Sequence, residues 1–453
     1  MAEANWSLLG KVLERRRELE QSNSWTHEQL VAHQRAAVAE LRRFAMERSP
    51  FYARFHRGME GRQLDELPVV TKRIMMESFD DLVTDRSVRL ADVEAFLTSG
   101  GRAGLFRERY VALETSGTSG LRGVCLLDED EWLTALASMC RPMAWAETRY
   151  DWLQPTRTAM ITATAPAYFS ARVGEALSNP LMPSLLLDAS EPLGTMVEKL
   201  NAWRPVMLAA YPSVLRALAE EQIAGRLRIP LRQAASSAEA LSADVRHRVQ
   251  EAWNARVYNT YAATEYALIA AECRYGRMHL LEDGAVIEIA DENGPVPVGV
   301  QGNRVLLTVF ASGTLPLIRY ELNDLVRAVA GRCECGRPFQ MIETVEGRND
   351  DVLLLAARDA GTAWIHPNAL QQAVETAPWA GWQLIVLEDG LTVHLVGARD
   401  REAMEKVAPN LRAMLEEHGA APVRIEVCEV ADVERGRTGK AARILRRARG
   451  VAG

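Results

Sequence analysis

Between residues 158 and 261, short apolar runs alternate with helical stretches, and this alternation narrows the possible folds more than any other feature of the chain. Thr158-Ala-Met-Ile-Thr-Ala-Thr164, Leu185-Leu-Leu-Asp188 and Val206-Met-Leu-Ala-Ala210 are too short for helices and too apolar for solvated loops. Glu191–Asn201 and Pro212–Gln222 carry helical spacing between or beyond them. Strand–helix alternation predicts an α/β domain with a largely parallel sheet, whose ligand crevice opens at the carboxyl ends of the strands. Loops at such ends are Ala165–Ser170, Tyr211-Pro212-Ser213, Ser236–Ala240 and Tyr258–Glu265.

The flanking sequence has a different texture. Residues 6–47 read as helices, closed by Ser49-Pro50, because the residue before a proline is pushed out of the helical region. Pro68-Val-Val-Thr-Lys-Arg73 reads as a turn into a short helix, and the acidic run Asp128-Glu-Asp-Glu131 opens another. Ala285–Ala290, Gly302–Phe310 and Leu317–Tyr320 are strands separated by Gly and Pro turns, a β subdomain. Val352–Ala356, Gln383–Leu387, Leu391–Val396 and Val423–Val430 then alternate with helices near 368–376 and 400–417, a small α+β domain. A chain of 453 residues is too long for one ordinary core. The expected division is a large lobe over 1–347 and a small C-terminal domain over 348–453.

The stretch Glu114-Thr-Ser-Gly-Thr-Ser-Gly-Leu-Arg-Gly123 carries the first chemical signal. Arg107–Leu113 before it and Val124–Leu127 after it read as strands. Its glycines let backbone N–H groups approach an anion, and its hydroxyls donate further hydrogen bonds, a chemistry suited to nucleotide phosphates. It is not a Walker A loop, because the G-x-x-x-x-G-K-[ST] spacing is absent. A flexible polar hairpin is the competing reading of this loop alone. The net charge of −7 argues against a nucleic-acid partner. No stretch reaches the ~18 uncharged apolar residues of a membrane helix. No basic-then-apolar leader opens the chain, and six cysteines in so long a sequence make no disulfide framework, so a reduced, cytoplasmic setting is expected.

Five pieces stand in a shared order: Thr115–Gly120, Tyr261–Glu265, Pro316-Leu-Ile-Arg-Tyr-Glu-Leu-Asn-Asp324, Gly347-Arg-Asn-Asp-Asp351 and Gly436-Arg-Thr-Gly-Lys440. From about residue 40 to 448 the chain resembles the adenylate-forming superfamily of acyl-CoA synthetases, adenylation domains and luciferases, and within it the phenylacetate–CoA ligase and coenzyme F390 synthetase family. Ser49-Pro-Phe-Tyr52, Tyr211-Pro-Ser213, Leu280-Leu-Glu-Asp283 and Cys333-Glu-Cys-Gly-Arg337 add to that likeness. The resemblance implies a mobile C-terminal domain, ATP and Mg²⁺ as cofactors, and a two-step reaction. A carboxylate attacks the α-phosphorus of ATP, pyrophosphate leaves, and a second nucleophile displaces AMP.

Residue by residue, the resemblance assigns roles. Thr115, Ser116, Gly117, Thr118, Ser119 and Gly120 would hold the β- and γ-phosphates. Where relatives carry Pro-Lys next, this chain has Arg122-Gly123, so Arg122 would supply the positive charge. Thr264 would bond the α-phosphate, Glu265 would hold Mg²⁺, and Tyr261 would stack on adenine. Ser237, Ala238 and Glu239 would line adenine, although relatives carry glycine in that stretch. Asp324 would accept from the ribose hydroxyls, with Asn323, in place of the usual glycine, keeping a left-handed turn. Arg348 would contact ribose or phosphate, Asp350 would be the hinge, and Lys440 would bridge the carboxylate and α-phosphate during adenylation. The bland reading of the arginine-rich tail around Lys440 is a solvated basic segment.

Cys273, His279, Cys333 and Cys335 offer the donors of a tetrahedral structural zinc site, a set that family relatives share, although its halves lie about sixty residues apart. Cys125, Cys140 and Cys428 are expected to be packing residues. The acid pocket is expected around Tyr168, Phe169, Tyr211, Ala235, Ala262 and Ala263, whose aromatic and small side chains suit an aryl or arylacetic acid. The sequence after Asp351 departs from the usual pantetheine-lining turn. CoA is the first expectation for the second nucleophile; an amine, a carrier protein, or activation of a small non-carboxylate oxyacid are alternatives. A non-catalytic nucleotide-binding protein is a third reading. The resemblance also implies a homodimer.

Overall fold

The computed structural model describes residues 6–98, 104–115, 122–148, 155–343, 345, 353–359, 362–365, 367–375, 379, 381–397, 401–435 and 441–447. The strands on either side of the hydroxyl-rich stretch pair antiparallel, β1 (Val111–Glu114) with β2 (Val124–Leu127). The strand expected from Arg107 begins only at Val111, because Arg107 and Glu108 turn the chain at φ 52° and 56°. Next come β3 (Thr158–Thr162), β4 (Ser184–Asp188), β5 (Met207–Ala210), β6 (Gln233–Ser237) and β7 (Arg256–Tyr261), all parallel, in the spatial order β4-β3-β5-β6-β7.

Beyond β7 the chain adds β8 (Ala270–Glu272), β9 (Met278–Leu280), β10 (Ala285–Asp291), β11 (Gly294–Pro295), β12 (Gln301–Gly302), β13 (Arg304–Val309), β14 (Tyr320–Leu322), β15 (Val326–Val329) and β16 (Met341–Ile342). Of these, β8, β9, β16, β15 and β12 extend the main sheet in that order, antiparallel throughout, to ten strands. The sheet is therefore parallel over only half its width. The expected β subdomain is a separate sheet, β11-β10-β13-β14.

Local sequence explains the helices on the parallel half. Ser242 caps the helix Ala243–Trp253 by accepting from the Val245 N–H, and Asn254 ends it in the left-handed conformation at φ 54°. Leu215 and Leu218 of the helix Pro212–Ile223 share a core with Val245 and Val249 and with Ile161, Leu208 and Ala234 of the strands. Each such fully buried side chain contributes roughly 1.5–3 kcal/mol of apolar transfer energy.

C-terminal to this lobe, β17 (Leu353–Ala356) and β18 (Thr362–Ile365) form a hairpin. β19 (Gly381–Leu387), β20 (Gly390–Val396), β21 (Arg424–Val430) and β22 (Ile444–Arg446) make a sheet in the order β21-β20-β19-β22. The helix Arg401–Glu417 lays Val407, Leu411 and Leu415 against it, giving this part its own apolar core. Cys428 corrects an expectation: β21 is an edge strand and its cysteine is exposed, whereas Cys125 is buried as expected and Cys140 half-buried. Among the described residues no helix is long and apolar enough to cross a membrane.

Candidate functional site

Three adjacent parallel strands deliver their loops to one end of the sheet. In register, Ala210 of β5 lies beside Ser236 of β6, and Ser237 beside Thr260 of β7. Tyr211, Ala238 and the 262–265 segment follow directly. Thr260 Oγ1 donates to the Ser236 carbonyl at 3.0 Å, tying two of these loops. Ala238 sits at φ +71°, a conformation that costs a residue with a Cβ about 1–2 kcal/mol. That is the physical reason a glycine suits this stretch, and such local strain concentrates at functional loops. Glu239 accepts from the Ser213 N–H at 3.0 Å and its hydroxyl at 3.1 Å.

Glu265 is a buried carboxylate in this region. It is 8% exposed, and its Oε1 accepts from the Tyr320 hydroxyl at 2.8 Å. The Lys72 ammonium stands 3.6 Å from the same oxygen and donates to Thr115 Oγ1 at 3.4 Å. Thr115 closes the base of the hairpin, accepting from the Gly123 N–H at 2.8 Å while its own N–H reaches the Gly123 carbonyl at 2.9 Å. Arg122 points elsewhere: it pairs with Glu114 at 3.6 Å with its side chain 56% exposed. Among the described residues a cation beside Thr115 is Lys72, which sequence reasoning passed over as part of a turn. Its position follows from Val70, which pairs with Tyr320 as an isolated parallel bridge, and from Thr71, which caps the helix Lys72–Glu77 by accepting from the Ile74 N–H.

The segment ending at Asp324 is pinned from two sides. The Tyr52 hydroxyl donates to the Pro316 carbonyl at 3.0 Å and accepts from the Ile318 N–H at 3.1 Å, which gives Ser49-Pro-Phe-Tyr52 a structural role. Arg319, buried, forks onto both Glu288 oxygens at 3.0 Å and also donates to the carbonyls of Asp65 and Leu67. The left-handed residue of this segment is Arg319, at φ 51°; Asn323 is not left-handed, so the expectation of a glycine-like turn there is corrected. Asp324 is 9% exposed and accepts from the Tyr261 hydroxyl at 2.5 Å, so two predicted nucleotide residues lie together.

Around the expected acid pocket, Tyr211 is buried, which pushes its hydroxyl above the ordinary tyrosine value. It meets Thr162 Oγ1 at 3.1 Å and accepts from the Ala163 N–H at 3.1 Å. Tyr168 is buried, Ala235, Ala262 and Ala263 are half-buried, and the Phe169 ring packs edge-on to Trp132 at 5.9 Å in the core beneath β1 and β2. The Glu114 N–H donates to the Ala167 carbonyl at 2.8 Å, joining the hairpin to this loop. Thr264 is half-buried between Tyr261 and Glu265. Ser116, Gly117, Thr118, Ser119, Gly120, Arg348, Asp350 and Lys440 lie outside the described residues.

At the antiparallel half of the sheet a second cluster forms. Cys273 follows β8, His279 lies in β9, and Cys333 and Cys335 lie in the turn between β15 and β16; the register Met341↔His279 brings the two halves together. The ligand atoms of Cys273, His279, Cys333 and Cys335 all lie within 4.8 Å of one another. Cys273 Sγ is 3.7 Å from Cys333 Sγ, and Cys335 Sγ is 3.3 Å from His279 Nε2. Zinc–sulfur bonds of ~2.3 Å at tetrahedral angles give a sulfur–sulfur edge of about 3.8 Å, so the donor set fits that ion. His279 Nδ1 faces the Phe339 carbonyl at 3.3 Å, an outer partner that would fix the tautomer. Burial lowers this imidazole below its ordinary value, which favours the neutral ligand form.

A buried carboxylate with an ammonium and the Thr115 hydroxyl near it, and a second carboxylate that accepts from a tyrosine, thus gather in this region. A family model described as AMP-binding enzyme matches residues 110–306. Phenylacetate-coenzyme A ligase of Thermus thermophilus is 25% identical over 390 residues, covering 80% of this chain and 79% of that protein. The structure of 2-hydroxyisobutyryl-CoA ligase in the postadenylation state with R3-HIB-AMP superimposes with a TM-score of 0.72 at 20% identity, over 94% of this chain and 91% of that one. The same ligase in its thioesterification state, with 2-HIB-AMP and CoA, gives 0.60 at 20% identity, over 95% and 92%. The chain has the fold of the adenylate-forming ligases, and residues 110–306 match the AMP-binding enzyme family. The relatives that it matches over most of its length are CoA ligases.

Proposed function

We propose that this chain is an ATP-dependent acid–CoA ligase acting on an aryl or arylacetic acid. The observation that carries the reading is the convergence of Lys72, Thr115, Glu265 and Tyr320 at the strand ends that also present Tyr261 and Asp324. Lys72 and the Thr115–Gly120 loop bind the β- and γ-phosphates and offset their charge. Asp324 accepts from ribose, an ionised carboxylate being acceptor-only. Tyr261 and the Ser237–Glu239 stretch flank adenine, Thr264 and Arg348 bind further oxygens, and Asp350 is the hinge. Mg²⁺ held by Glu265 neutralises phosphate charge when bound; the carboxylate–phosphate donor set suits a hard cation.

The acid oxygen attacks the α-phosphorus, the bond to pyrophosphate breaks, and Lys440 stabilises the charge that develops on the α-phosphate oxygens. The CoA sulfur, having lost its proton, then attacks the acyl carbon and AMP leaves. Tyr168, Tyr211 and the alanines at 235, 262 and 263 surround the acid. Zinc at Cys273, His279, Cys333 and Cys335 is structural, since four protein donors leave no open position. A reducing, cytoplasmic compartment suits the free thiols, and a homodimer is the proposed assembly.

The test is acid-dependent exchange of pyrophosphate into ATP across aryl, arylacetic, fatty and small inorganic acids, followed by product analysis with CoA. Exchange with an aryl or arylacetic acid and a CoA thioester support the reading. ATP binding with no exchange from any acid, or an adenylate that CoA does not consume, would overturn it.

A further inference from the structure

The large lobe and the small domain meet across a polar seam outside the phosphate and ribose contacts. Arg216, on the helix Pro212–Ile223, has its side chain 3% exposed. Its Nε donates to the Trp379 carbonyl of the small domain, and its Nη1 pairs with Asp244 in the first turn of the helix Ala243–Trp253. On β19, just beyond Trp379, Gln383 is fully buried. Its amide ties together the two segments that flank residues 436–440 in the sequence. Nε2 donates to the Glu434 carbonyl at 3.0 Å and the Ala442 carbonyl at 2.8 Å, and Oε1 accepts from the Glu434 N–H at 3.1 Å. Arg435 pairs with Ala441 as an isolated antiparallel bridge. Ala441 donates its N–H back to Glu239 Oε1 of the large lobe at 3.2 Å. Glu239 is held in turn by Ser213, one turn before Arg216 on the same helix. The contacts therefore close into a ring running from Arg216 through Trp379, Gln383, Ala441, Glu239 and Ser213.

We propose that Arg216 and Gln383 are positioning residues for adenylation: Arg216 seats the small domain on the large lobe, and Gln383 ties Glu434 to Ala442, the flanks of the stretch whose sequence contains Lys440, so that Ala441 lands on Glu239. The inference rests on the ligase reading, and neither residue touches substrate.

Two further observations fit. The better superposition is on the related ligase in its postadenylation state, 0.72, against 0.60 in its thioesterification state. Because that enzyme is the same in both states, the difference lies in how its parts are arranged, and this chain's arrangement is nearer to the first state. Arg216 is also incompletely satisfied: among the described residues its Nη atoms make no hydrogen bond beyond the Asp244 pair, and burial pushes the guanidinium down to about 10. Water would complete its hydrogen bonding once the domain swung away, so the seam holds one state without locking it.

The experiment compares wild type with Arg216→Met, which keeps side-chain bulk and helix propensity, with Arg216→Lys, which keeps the cation, and with Gln383→Met. The first measurement is amide hydrogen exchange on the full chain without substrate. Arg216→Met should speed exchange at the Ala441 peptide and around residues 379–383 by tenfold or more, with strands β5–β7 unchanged. Gln383→Met should do so at Ala441 alone. The second measurement separates the half-reactions, using phenylacetate as the acid. Pyrophosphate exchange should fall ten- to a hundredfold, while thioester formation from supplied phenylacetyl-adenylate and CoA should change less than threefold, with Arg216→Lys intermediate. Unchanged amide protection, or equal losses in both half-reactions, would overturn the proposal. If wild type does not use phenylacetate, that acid assignment fails, and the substrate-free exchange still decides whether the seam exists.

Discussion

Replacing Lys72 by Ala tests whether the cation beside the hydroxyl loop is this residue. In the structure its ammonium is 3.6 Å from Glu265 Oε1 and 3.4 Å from Thr115 Oγ1. The Lys72 side chain is 25% exposed and that of Glu265 4%. At that separation and an effective dielectric of about 20, the gross attraction between the two charges is roughly 4–5 kcal/mol, most of it offset by desolvation. Stability should therefore change little, by about 1 kcal/mol or less. Catalysis should change more, because a charge-assisted hydrogen bond to phosphate contributes about 2–3 kcal/mol in a site shielded from water. This corresponds to roughly a 30- to 150-fold loss in kcat/KM for ATP in pyrophosphate exchange. Arg122→Ala, whose side chain is turned to Glu114, should lose less than about threefold. The reasoning fails if Lys72→Ala exchanges within threefold of wild type, or if Arg122→Ala is the more damaged of the two.

Three further outcomes are expected. Purified protein should carry about one zinc per chain by elemental mass spectrometry, and Cys273→Ser should lose it together with about 5–10 °C of Tm; a zinc-free wild type of equal stability would refute the site. Lys440→Ala should slow adenylation about a hundredfold or more while the ATP Kd stays within threefold, and full exchange activity in that variant would remove the assigned role. His56 is fully buried beside the Tyr52 and Phe55 rings, and among the described residues neither ring nitrogen has a hydrogen-bond partner. Burial, with a smaller contribution from the Arg42 charge, pushes it down to about 4. The unfolded chain takes up this proton near pH 6.5, so the neutral ring's contribution is complete above that pH and is lost as pH falls toward 4. His56→Leu should therefore remove about 1–2 kcal/mol of acid destabilisation at pH 5, seen as a smaller drop in Tm between pH 7.5 and pH 5. Identical pH profiles would count against it.

The α/β lobe, the β subdomain and the C-terminal α+β layer were legible in the chain, because strand and helix periods are local properties that neighbouring side chains write directly. The loops at Tyr211, Ser236–Ala240 and Tyr258–Glu265 were legible for the same reason, since parallel strands send their carboxyl ends to one side. The zinc donors could be named, and their order along the sequence told nothing about their proximity. Only the register of β9 against β16 brings His279 and Cys273 to Cys333 and Cys335. Lys72 was invisible as a site residue because a lone lysine after a turn has no periodic or compositional signature. It acquires its place when Val70 pairs with Tyr320, which in turn holds Glu265. The Arg319–Glu288 fork and the seam through Arg216 and Gln383 are of the same kind. Sequence pattern determined which residues could form strands, caps and anion-binding loops. Tertiary structure alone decided which charges meet, because pairing across distant segments depends on sheet register and domain seating, and no local window of the chain records either.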